Sequence, residues 1–127
     1  MNRTILLVGL GGFFGSSCRY LTALFLTKTF PSAFPYGTFA VNIIGCLLIG
    51  IFYGLSQYYN WFNANLTLLL ATGFCGGFTT FSSFSYENLN LLQNGEYLTF
   101  GLYSIGSFVL GLLAVVVGLI FIKNIIT

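Results

Sequence analysis

Charge is what this sequence lacks most. Of its 127 residues only 5% are Asp, Glu, Lys or Arg, against about 25% in an ordinary soluble domain. Six charged side chains cannot solvate a globule, whereas a bilayer solvates an apolar helical exterior and asks only that backbone groups pair internally. Histidine is absent and the carboxylates are Glu87 and Glu96 alone. Hydrolytic triads, paired-carboxylate acid/base chemistry and His-based metal sites therefore have no residues to draw on, and an enzyme is not expected. Three cysteines, Cys18, Cys46 and Cys75, are odd in number and without CxxC spacing. They suggest neither a disulfide framework nor a zinc site, but small apolar residues. Arg3, Arg19, Lys28 and Lys123 are scattered, so no basic patch for nucleic acid is formed.

What is abundant is apolar: 57% of residues are hydrophobic and 19% aromatic. Arg3 before an apolar run mimics a signal peptide, and Gly15-Ser16-Ser17-Cys18 a lipoprotein cleavage site without its Leu. Three further apolar stretches argue for a spanning helix instead. The four stretches, about Ile5–Leu26, Tyr36–Tyr58, Leu66–Leu92 and Leu98–Ile122, each reach the roughly 20 residues a spanning helix needs. The expectation is an all-α protein whose residues 1–127 form a single transmembrane domain. Pro31 and Pro35, then Asn60, Asn63 and Asn65, then Asn94-Gly95-Glu96 mark the turns. Tyr36, Tyr58, Tyr59, Trp61 and Tyr97 lie at the borders, where amphipathic rings prefer the headgroup level.

Sixteen glycines let such helices approach closely, and Gly11/Gly15, Gly50/Gly54 and Gly73/Gly77 have GxxxG spacing. Helices so close leave little room for water within one subunit, so a pore is expected to involve an oligomer. With an even number of spans, Arg3 and Lys123 share one side, and Lys28, with Arg19 in the later half of the first span, has the other. The bias that fixes orientation is nearly absent. Insertion both ways is expected, which permits an antiparallel dimer.

Polar residues inside spans are expensive and often functional. Here they are Arg19, Asn42, Thr79, Thr80, Ser82, Ser83, Ser85, Glu87, Asn88, Tyr103, Ser104 and Ser107. The densest cluster lies in Gly73-Phe74-Cys75-Gly76-Gly77-Phe78-Thr79-Thr80-Phe81-Ser82-Ser83-Phe84-Ser85. Adjacent glycines followed by β-branched threonines make poor helix, so a break near 76–80 is expected, with freed carbonyls able to bind a cation. The alternative is that the glycines serve packing and the hydroxyls bond back to their own helix. Phe81 and Phe84 share a helical face that Phe78 extends. Such a stripe either packs or presents electropositive ring edges to an anion, beside Ser and Thr hydroxyls and the Asn42 amide. A line of neutral donors suits fluoride, since it replaces hydration without a charged trap, and conduction requires weak multi-site binding.

These residues resemble the CrcB/Fluc fluoride channels of bacteria over essentially the whole chain. Gly11-Gly12-Phe13-Phe14-Gly15 with Arg19-Tyr20 resembles the first-helix motif, and Tyr36-Gly37-Thr38-Phe39-Ala40-Val41-Asn42-Ile43-Ile44-Gly45 the second-helix motif. The cluster from Gly73 to Ser85 is close to the family signature. The resemblance implies an antiparallel dual-topology dimer in the bacterial inner membrane, with two fluoride pores at the subunit interface. It implies pore roles for Asn42, Phe81 and Phe84, polar positions at Ser82 and Ser83, and an anion vestibule at Arg19. A structural sodium ion (Na+) would be held by the backbone carbonyls of Gly76 and Thr79 from both subunits. Tyr103 and Ser107 match part of a hydroxyl track at i, i+4 spacing, whose next steps here are Gly111 and Val115, so its lower part is missing or supplied from elsewhere. The implied activity is passive fluoride export, protecting cytoplasmic enzymes from fluoride that enters as neutral HF and dissociates inside. A small four-helix multidrug exporter is the rival, but it carries a carboxylate in its first helix, where this chain has Arg19. A purely structural membrane subunit is a third class, which fluoride flux from the protein alone would exclude. Whether the second subunit is identical or a paired chain is left open by the residues.

Overall fold

The computed structural model describes residues 2–126, and the elements are α1 (Asn2–Thr29), α2 (Tyr36–Tyr58), α3 (Ala64–Leu66), a π-helix (Thr67–Cys75), α4 (Gly76–Phe78), α5 (Phe81–Gln93) and α6 (Tyr97–Ile126). Among the described residues four stretches are long and apolar enough to cross a bilayer: α1, α2, the compound third helix Ala64–Gln93 and α6. The second span begins and ends where the apolar run does. α1 and α6 run several residues past theirs, because hydrogen bonding continues through polar flanks such as Thr27, Lys28, Lys123 and Asn124 that an apolar count excludes.

Local chemistry sets the helix ends. The Asn63 side chain caps α3 by accepting the Leu66 N–H at 3.1 Å. Thr80 caps α5 through its own hydroxyl, which accepts the Ser83 N–H at 3.2 Å. At the end of α5, Gly95 has φ of +75°, and the N–H groups of Gly95 and Glu96 return to the carbonyls of Leu92 and Leu91. This paired closure needs a left-handed residue, and only glycine takes that conformation without a Cβ penalty.

Packing follows the glycines, as the GxxxG spacings led us to expect. A Cβ on Gly11 would lie 2.7 Å from the Phe74 nitrogen, and one on Gly73 would lie 2.9 Å from the Val8 carbonyl oxygen. α1 is thereby drawn onto the π-helix and α4. A Cβ on Gly118 would lie 2.6 Å from the Leu47 carbonyl oxygen, and one on Gly50 would overlap the Val115 carbonyl, so α2 and α6 form a second close pair. Without these small residues neither pair could approach to backbone contact, which in lipid supplies much of the association energy.

The second half of the third span is held differently. The break is where the cluster predicted it, yet the glycines do not make it. Gly76 is helical, with φ −61° and ψ −37°, and the extended residues are Thr79 (φ −91°, ψ 158°) and Thr80 (φ −151°, ψ 124°). Beyond the break, α5 is secured to α2 and α6 largely by polar bonds. Thr38 Oγ1 donates to Glu87 Oε2 at 2.8 Å, Tyr103 Oη donates to Glu87 Oε1 at 3.0 Å, and Ser104 Oγ donates to Asn88 Oδ1 at 3.1 Å.

Candidate functional site

Asn42 holds the break open. Its position on α2 brings the amide against Thr80, whose N–H donates to Oδ1 at 2.8 Å and whose carbonyl accepts from Nδ2 at 3.1 Å. One N–H and one C=O on the backbone meet one acceptor and one donor on the amide, so the amide orientation is fixed by the pairing itself. The consequence lies four residues upstream. In a continuous helix the Thr80 N–H would return to the Gly76 carbonyl and the Ser83 N–H to the Thr79 carbonyl. The first is taken by Asn42 and the second by the Thr80 hydroxyl. Gly76 and Thr79, the carbonyls implied for sodium, are thus among those that lose their helical donors. A cation that prefers hard oxygen ligands fits such a set. Among the described residues no cluster of acidic, His or Cys side chains competes for a metal.

Thr79 is anchored by its hydroxyl, which donates to the Cys75 carbonyl at 2.8 Å, alongside its N–H at 3.0 Å. Its methyl faces Gly45, where a Cβ would overlap it, while a Cβ on Gly77 would lie 2.7 Å from the Gly12 carbonyl oxygen. Thr79→Ser keeps the anchoring bond and is expected to cost less than about 1 kcal/mol. Gly77→Val forces α1 away and is expected to cost about 1–3 kcal/mol or more. Thermal unfolding of both variants in detergent checks the difference, and equal melting would show that the close approach at Gly77 carries no weight.

Beside the break a cavity of about 540 Å³ is lined by Asn42, Cys46, Ile49, Thr79, Thr80, Phe81, Phe84, Ser104, Ser107, Phe108 and Val115. No lining residue is charged. The Ser107 hydroxyl is buried and without a hydrogen-bond partner among the described residues, an arrangement native interiors seldom leave unused. Phe81 is 77% exposed in the single chain. Its ring lies 5.8 Å from that of Phe84, which in turn lies 4.9 Å from that of Tyr103.

The expected site residues therefore divide. Asn42, Phe81, Phe84, Ser107 and Thr79 meet at one cavity. Ser82 and Ser83 instead border a neighbouring recess of about 430 Å³ with Tyr86, Glu87 and Asn90. Tyr103 is fully buried between the two, its ring under Phe84 and its hydroxyl on Glu87. Arg19 lies on the other side of the break, with Nε donating to the Gly77 carbonyl at 2.9 Å. The hydroxyl track on α6 ends at Ser107. A Cβ on Gly111 would meet Cys46 Sγ at 3.4 Å, and Val115 offers no donor. Thr79, Thr80 and Ser104 bring further polar atoms to the same cavity. Sequence reasoning missed Thr38 and the structural use of Glu87. The signal available was the i, i+4 spacing of Thr38 and Asn42 on one face of α2, together with an intramembrane carboxylate.

Four apolar spans, of which the second, third and fourth line a neutral, donor-bearing cavity at a broken helix, describe a multi-pass membrane protein. The chain belongs to the CrcB-like family, whose model, described as CrcB-like protein, Camphor Resistance (CrcB), matches residues 6–119. It is similar to proteins named fluoride-specific ion channel FluC. With that of Phocaeicola vulgatus it shares 50% identity over 117 residues, covering 92% of this chain and 96% of the relative. With that of Flavobacterium psychrophilum it shares 48% over 122 residues, covering 96% and 98%, and with that of Campylobacter lari 49% over 122 residues, covering 94% and 98%. The spans and the family place it as a multi-pass protein of the bacterial inner membrane.

Proposed function

We propose that this chain is the subunit of a fluoride-selective channel that lets fluoride leave the cytoplasm passively and so protects against its toxicity. The observation that carries the reading is the cavity at the break, where Asn42, Phe81, Phe84 and the Ser107 hydroxyl, unpartnered among the described residues, meet with no charged side chain. Near-full-length similarity to channels named for fluoride supports it. Fluoride is a strong acceptor, and neutral donors exchange its water without trapping it. With a potential negative inside, an anion is driven outward by roughly 2.3 kcal/mol per 100 mV, so conduction needs neither catalysis nor an energy-coupling step. Ser82 and Ser83, in the adjoining recess, would receive the ion at the mouth, and Arg19 would lend positive potential to its approach. Tyr103 supports Phe84 from beneath. Fluoride efflux from liposomes containing only this protein tests the reading.

The working unit in this proposal is an antiparallel dimer in the lipid bilayer. Phe81, exposed in the single chain, would there find its second wall. Sodium, when bound between subunits, would be held by the carbonyls of Gly76 and Thr79 and would supply fixed positive charge to the dimer centre. The near-balance of Arg3 and Lys123 against Lys28 supports insertion both ways. Native cysteines are first replaced, because Cys18 is exposed. An impermeant thiol reagent applied to cells should then reach a Cys introduced near the N-terminus in about half of the copies. Uniform orientation of all copies would sink the dual-topology dimer for this chain.

A further inference from the structure

We infer that Arg19 is a positioning residue for the cation cradle: by occupying the Gly77 carbonyl it leaves Gly76 and Thr79, and not Gly77, to a monovalent cation. The inference rests on the sodium reading above and deepens it.

The break between α4 and α5 removes the helical donors of four successive carbonyls, Gly76, Gly77, Phe78 and Thr79, since no N–H four residues on returns to any of them among the described residues. An unselective row of freed carbonyls would let a cation settle in more than one register. Among the described residues only Gly77 has been given a substitute donor, and it comes from a distant element: Arg19 Nε on α1, 58 residues away in sequence, at 2.9 Å. This is the only hydrogen bond of the Arg19 side chain among the described residues. A charge-assisted bond of that length is among the stronger kinds, and the guanidinium charge at Gly77 opposes a cation coming to the same oxygen. The approach that makes the bond possible is built in. A Cβ at Gly77 would lie 2.7 Å from the Gly12 carbonyl oxygen and 3.0 Å from Ser16 Oγ, so α1 reaches α4 only over a glycine. Arginine suits the task and lysine does not, because the planar guanidinium fixes the direction of its Nε–H whereas an ammonium on a flexible stem is a point charge. Two side chains thus divide the row: Asn42 takes the N–H that would have closed Gly76, and Arg19 closes Gly77 itself.

The test compares the wild type with Arg19→Lys and Arg19→Gln as purified protein. Thermal unfolding is followed over a sodium titration at constant ionic strength against N-methylglucamine, and solid-state NMR of the wild type follows the carbonyl carbons of Gly76, Gly77 and Thr79 with and without sodium. Both variants, lysine included, should need at least about tenfold more sodium for half-maximal stabilisation. In the wild type the Gly76 and Thr79 resonances should move on sodium removal while Gly77 stays. Wild-type sodium dependence in Arg19→Lys, or a Gly77 resonance that moves with the others, would overturn the inference while leaving the sodium reading standing. No sodium effect on unfolding or resonances in the wild type would remove the sodium reading and the inference with it. Should neither variant fold, the wild-type resonances decide alone.

Discussion

Asn42→Leu is expected to lower fluoride flux about a hundredfold, about 2.7 kcal/mol at the barrier, the largest effect of any conservative-volume change in this chain. The side chain makes two bonds to one residue, accepting the Thr80 N–H and donating to the Thr80 carbonyl. Leucine fills the space and makes neither. Leaving a part-buried N–H and C=O unpaired costs roughly 1–3 kcal/mol each, and the chain can recover part of that by returning the Thr80 N–H to the Gly76 carbonyl. The helix would then heal across Thr79 and Thr80. Healing would take a donor from the cavity and a carbonyl from the cation set in one step. Flux and sodium-dependent unfolding should therefore fall together. Flux within threefold of wild type would show that Asn42 neither faces the ion nor holds the break.

The second large effect separates ring edges from packing. Phe81→Ile and Phe84→Ile should each cut flux at least about tenfold, about 1.4 kcal/mol, with the dimer still folded. Isoleucine keeps much of the volume and apolarity of phenylalanine but lacks the electropositive edge that faces an anion. The two positions differ usefully. Phe84 packs on Tyr103 within its own chain, whereas Phe81 is 77% exposed there. A defect in Phe81→Ile therefore cannot come from the core of the subunit. Phe13 and Phe121 are also exposed but lie away from the cavity, and their replacement should do far less. Flux and size-exclusion behaviour are measured on the same preparations. Wild-type flux in both variants would reduce the rings to packing, and loss of flux only with loss of the dimer would do the same.

The spans were legible because a bilayer imposes length and apolarity directly on the sequence, and the GxxxG spacings because small residues have few other uses at such density. The break was legible as a region, near 76–80, and its cause only in part. Gly76 and Gly77 looked like helix breakers, yet Gly77 is spent on the approach of α1, and the two β-branched threonines turn the chain. What a linear pattern hides is the partner of a polar group. Thr38 and Glu87 are 49 residues apart, and Arg19 and Gly77 are 58 apart. An arginine late in the first span therefore read only as a charge near water. The π-helix of Thr67–Cys75 was invisible for a related reason. Its wider turn arises from how the segment packs, and no residue type encodes it.

The central claim is that this chain alone conducts fluoride selectively, and the most direct measurement is efflux from liposomes containing only the purified protein, with potassium current clamped by valinomycin. A fluoride electrode should register rapid release on adding the ionophore, while chloride-loaded vesicles from the same preparation stay silent. Release of both anions alike, or no fluoride release from protein that elutes as a dimer, would contradict the account.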